Sequence, residues 1–230
     1  MSMVKIQQRG FTVIELMIAT ATFSVVLIVV LSALLAIGRL YYKGTTEARV
    51  QEVTRGALDR VTRSVQFSGV PIESGTLSST NPAYSLASYY CFGGVWYVYS
   101  PGKQLRLDAV TDPSVESSYG IHVQRTSDCS SSSEPTDLNA AEELLGQDMH
   151  LVHFNILEDS GLVEASMRVA FGGDAATSGD LSEIFGYNSA IDNGNGYTDP
   201  AEIERCATNV SGSEFCAVST LSSLVYRKVQ

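Results

Sequence analysis

The feature that most constrains this chain lies near its start, in the run "FTVIELMIATATFSVVLIVVLSALLAI" at residues 11–37. Between residues 16 and 37 there are 22 positions without a charge, and only Thr20, Thr22, Ser24 and Ser32 are polar. A helix of about 20 apolar residues crosses a bilayer. A secretory signal has a shorter apolar core followed by an Ala-x-Ala-like cleavage site, and none follows here. By length alone the run reads as a signal-anchor helix. Glu15 does not suit a plain anchor, because a carboxylate within a membrane segment is costly and marks function by default.

Charge beside the run leaves its orientation undecided. Lys5 and Arg9 precede it, and Arg39 and Lys43 follow it, a tie under the positive-inside rule apart from the free N-terminus. The cysteines are more informative. Cys91, Cys129, Cys206 and Cys216 all come after the run, even in number and without C-x-x-C spacing. That pattern suits two disulfides in an oxidising compartment better than a metal site; four buried thiols in a reducing compartment is the alternative. Three pairings exist, and shorter loops close at lower entropic cost, which favours Cys91 with Cys129 and Cys206 with Cys216. The net charge of −10 argues against electrostatic binding of nucleic acid by the domain as a whole, although contact with DNA is not thereby excluded.

After the apolar run, Tyr41 and Tyr42 beside Arg39 and Lys43 read as an interfacial anchor. The pattern then becomes amphipathic. Ala48, Val50, Val53, Ala57, Val61 and Val65 form one helical stripe, and Glu47, Arg49, Glu52, Arg55, Asp59, Arg60 and Arg63 fall mostly on the other side. Gly69 and Pro71 are stop signals. One helix is therefore expected from about residue 11 to about residue 68, roughly 85 Å long at 1.5 Å per residue. Gly38, Gly44 and Gly56 are candidate weak points in it.

The remainder reads as strands at 94–100, 104–110, 119–126, 150–158, 162–171 and 222–229, with hairpin turns at 101–103 and 159–161 and a short helix at 138–145. This is an α+β fold: a long N-terminal helix, transmembrane in its first half, packed by its second half on an antiparallel β-sheet.

"RGFTVIELMIATATFSVV" resembles the N-terminus of the type IV prepilin and pseudopilin family. That family has a short basic leader ending in Gly, then Phe-Thr-x-x-Glu, then an apolar helix. The resemblance implies a leader at 1–10, cleavage between Gly10 and Phe11 by a prepilin peptidase, and N-methylation of Phe11. It implies a membrane half of the helix at 11–38, an amphipathic half at 39–68 and an extracytoplasmic globular domain at 69–230. It further implies a single pass through the cytoplasmic membrane, then entry into a pilus or pseudopilus. The implied partners are other pilins, through the N-terminal helix, and an inner-membrane assembly platform. Glu15 would meet the N-terminal amine of a neighbouring subunit. The stretch 40–69 is similar to the second helical half of the larger W- and J-type minor pilins and pseudopilins.

A second stretch, "IDNGNGYTDPAEIE" at 191–204, resembles an EF-hand calcium loop. Asn193 and Asn195 would take the third and fifth ligand places, with Tyr197 giving its carbonyl, Asp199 the ninth place and Glu202 the twelfth. Ile191 stands where the first Asp belongs and Asp192 is one residue late. Calcium and an ion-free Asn/Gly turn both remain open. His122, His150 and His153 read as surface or structural histidines, the last two expected on opposite faces of a strand. Trp96, Tyr97 and Tyr99 alternate along a strand and are expected half in core and half exposed. The triplet Asn209-Val210-Ser211 fits a glycosylation sequon. No nucleophile elbow, P-loop or dinucleotide motif is present, so a non-enzymatic role is expected. Two functions stand: a filament subunit, or a membrane-tethered adhesin or calcium-dependent receptor that does not polymerise.

Overall fold

A computed structural model describes residues 12–77, 87–101, 105, 119–135, 138, 140–146, 149–171 and 216–228. By contact pattern the chain divides into two units, Met1–Tyr42 and Lys43–Gln230. The helix α1 (Val13–Ser68) contributes to both and passes through Gly38, Gly44 and Gly56 without a break. None of these three costs more than about 1 kcal/mol. The helix ends where the sequence says it should: Gly69 has φ +64°, the left-handed conformation that closes a helix C-terminus, and Pro71 follows.

In the first unit every described side chain between residues 12 and 37 is exposed. This is the one helix among the described residues that is long and apolar enough to cross a membrane.

The second unit contains the remaining part of α1 and two antiparallel sheets. The strands are β1 (Glu73–Thr76), β2 (Ser88–Phe92), β3 (Val95–Tyr99), β4 (Ile121–Arg125), β5 (Glu142–Glu143), β6 (Met149–Asp159), β7 (Leu162–Phe171) and β8 (Ala217–Tyr226). They form a five-stranded sheet β1-β2-β3-β4-β5 and a three-stranded sheet β6-β7-β8. Two tight turns set the registers. Gly93 and Gly94 link β2 to β3 with φ +62° and +73°, and Ser160 and Gly161 link β6 to β7 with φ +53° and +83°. Positive φ at both central residues matches the right-handed twist of the flanking strands. At Gly94 a Cβ would also lie 2.7 Å from the Thr126 carbonyl oxygen.

The main core is built from α1, β2–β4 and β6–β8. Val50, Ala57, Leu58, Val61 and Val65 of α1 meet Tyr90, Phe92, Tyr97, Tyr99, Phe154, Met167 and their neighbours. Each fully buried Val or Leu contributes about 1.5–3 kcal/mol. The buried stripe is broader than the sequence implied. Thr54, Leu58 and Thr62 join it, whereas Ala48 is exposed and Val53 half-buried. The two threonines are tolerated because their hydroxyls donate back to the Val50 and Leu58 carbonyls, at 2.6 and 2.9 Å.

Four local expectations are corrected. The segment 138–145 is not a helix: Ala141 N–H closes a turn on the Leu138 carbonyl, and Glu142–Glu143 pair with β4 as β5. The sheet is not single but divided in two. The last strand begins at Ala217 and ends at Tyr226, earlier at both ends than 222–229. Strand β3 has no exposed face. Tyr97 and Tyr99 enter the main core, while Trp96 and Val98 enter a second cluster with Leu77, Ala87, Cys91, Leu105 and Leu138. Alternation fails as a guide there because both faces of the strand are covered. Most of the hairpin turn at 101–103 and most of the strand at 104–110 lie outside the described residues.

The two edges of the three-stranded sheet differ. On β6 the Leu151 N–H donates to the Tyr119 carbonyl at 2.9 Å, and the Ile156 N–H donates to the Tyr90 hydroxyl at 3.2 Å. The outer side of β8 has no such covering among the described residues.

Candidate functional site

The start of α1 carries the one carboxylate of the apolar segment, and the structure accounts for how it is held. Thr12 is the cap residue. Its N–H and its hydroxyl both donate to Glu15 Oε2 at 2.9 Å, and its hydroxyl oxygen accepts from the Glu15 N–H at 3.3 Å. This is a reciprocal capping box, Thr-x-x-Glu, which satisfies backbone donors that a helix start otherwise leaves unpaired. The acid also sits at the positive end of the helix dipole. Glu15 Oε1 makes no hydrogen bond among the described residues.

The hydroxyls further along are satisfied in the same self-contained way. Thr20 donates to the Met17 carbonyl at 3.0 Å, Thr22 to Ile18 at 3.0 Å, Ser24 to Thr20 at 2.8 Å and Ser32 to Val29 at 2.8 Å. The segment therefore presents an apolar exterior although it contains four hydroxyls and an acid. In hydrocarbon an unsatisfied polar group costs several kcal/mol. Past the apolar run, the Tyr41 and Tyr42 rings meet edge to face at 6.3 Å and are both exposed. Gly10 and Phe11 lie outside the described residues.

In the second unit, Cys91 and Cys129 form a disulfide with Cα atoms 5.6 Å apart. Cys216 is also disulfide-bonded, and Cys206 lies outside the described residues. The Cys91–Cys129 bridge belongs to the second cluster, where Cys91 stands across the β2–β3 ladder from Trp96. The Trp96 indole N–H donates to Thr126 Oγ1 at 2.9 Å and to the Asp128 carbonyl at 3.1 Å. Asp128 in turn accepts from the Ser130 hydroxyl and N–H at 2.6 and 2.9 Å. Hydrogen bonds from Ser130, then Ser133, hold its carboxyl down at about 2. The serine run is thus a folded turn, with a 3-10 turn at Ser131–Ser133. Arg60 of α1 makes a two-pronged ion pair with Glu142 of β5, which lowers the Glu142 carboxyl and raises the Arg60 guanidinium.

The calcium-like stretch, with Asp192, Asn193, Asn195, Tyr197, Asp199 and Glu202, lies outside the described residues, as does the sequon. Among the described residues no three His, Cys, Asp or Glu side chains are grouped to hold a metal. The reading of His150 and His153 as opposed is corrected. A bulge between Leu151 and His153 sets them across from Ala170 and Arg168, which share a face of β7. His150 is buried against the Tyr119 ring at 4.6 Å, His153 is half-buried, and His122 is buried on β4.

Comparison with family models, curated proteins and solved structures gives no match for this chain.

Reading the sequence by motif singled out Glu15 but missed what Thr12 does. The signal was there, since Ser/Thr-x-x-Glu before an apolar run is a helix-start pattern in its own right. The Asp128 turn had a weaker signal: an Asp two residues before a serine run is a common turn start.

Proposed function

We propose that the chain is a minor pilin or pseudopilin, a structural subunit of a type IV pilus or a related secretion or uptake filament. The observation that carries this reading is the Thr12–Glu15 capping box at the head of an unbroken helix whose first 25 residues are exposed and apolar outside. Such a segment needs apolar surroundings, either lipid or the equivalent helices of other subunits. The "RGFTVIE" stretch supports cleavage by prepilin peptidase between Gly10 and Phe11. The cut leaves the Thr12 amide intact, so the capping box survives processing.

Glu15 then has two roles on its two oxygens. Oε2 is held by Thr12, and Oε1 is left to accept the Phe11 amine of a neighbouring subunit. Pairing the two charges offsets two desolvation costs. Co-expression with a prepilin peptidase tests the reading. The expected outcome is a mass shift equal to loss of residues 1–10 and an N-methyl group on Phe11; an unshifted chain sinks it. Glu15→Ala should still be made and cleaved but should be depleted from sheared filaments. A chain found only in membranes, and never with other pilins, is instead a tethered binding domain.

A further inference from the structure

We draw no further inference here: the strongest candidate, the groove between α1 and β8 lined by Glu52, Arg55, Gly56, Asp59, Leu221 and Ser223, carries charges of both signs, and nothing in the structure shows what covers it.

Discussion

Residues 13–42 and 43–68 belong to the same helix, and they solve the same problem in opposite ways. In the first stretch the apolar side chains up to residue 37 point outward all round, Glu15 Oε2 is held by Thr12, and the hydroxyls of Thr20, Thr22, Ser24 and Ser32 are satisfied by carbonyls three or four residues back. In the second stretch the apolar side chains gather on one face and are covered by strands, while the charged face forms ion pairs such as Arg60 with Glu142 and Arg63 with Asp59. Secondary structure is therefore indifferent to the surroundings; the distribution of polar atoms is not. The first stretch is prepared for a partner that supplies no hydrogen bonds, the second for a partner of fixed shape.

The sharpest way to break this contrast is to replace one valine in each setting. Val61 is fully buried, so Val61→Asp should abolish the cooperative melting of the domain, a loss above about 4 kcal/mol. Val26→Ala, on the exposed stretch, should leave the domain's melting within about 0.5 kcal/mol of the parent. Near-UV circular dichroism of the full chain in detergent reads both, and equal effects would erase the distinction.

The next largest effect concerns the strands and not the helix. Cys129→Ser removes the 38-residue closure with Cys91 and should cost about 3–4 kcal/mol, read as a lower denaturant midpoint. Trp96 fluorescence should change first, because Cys91 is its cross-strand partner in the same cluster, while the helical signal persists.

A pH series sharpens the comparison further, since only the second stretch packs against buried tyrosines. Burial, then the neighbouring Tyr90 hydroxyl, pushes the Tyr99 hydroxyl well above the ordinary tyrosine value. A group raised on folding stabilises fully below its unfolded value, about 10 for tyrosine, and the contribution is lost as pH rises above it. Unfolding free energy should be flat from pH 7 to 9 and fall beyond about 10, and Tyr99→Phe should flatten that fall.

The smallest effect separates two glycines of one helix. Gly56→Ala should raise the melting stability of the domain by up to about 1 kcal/mol, because a Cβ there meets nothing. Gly38→Ala should leave it unchanged, because that residue is outside the domain.

The helix was the most legible part of the chain, because apolar length, amphipathic period and the Gly69 stop all point the same way. The β6–β7 hairpin was legible for a similar reason: two alternating runs around Asp-Ser-Gly. The division into two sheets was not, since β1 and β5 have four and two residues and no pattern of their own. The aromatic strand β3 misled because alternation reports one covered face, and here a second cluster covers the other. Of the candidate site, Glu15 stood out as a charge in an apolar run, and Cys91 with Cys129 followed from loop entropy. The covering of β6 was invisible, because Tyr90 and Tyr119 reach it from elsewhere in the fold.

That covering sets a number. A sheet with two open edges can be joined to its like without limit, which is how ribbons grow. Among the described residues this sheet has one edge stopped by a carbonyl and a hydroxyl and the other bare, a valence of one. Edge pairing of such a sheet stops after a single addition, so it cannot build a ribbon.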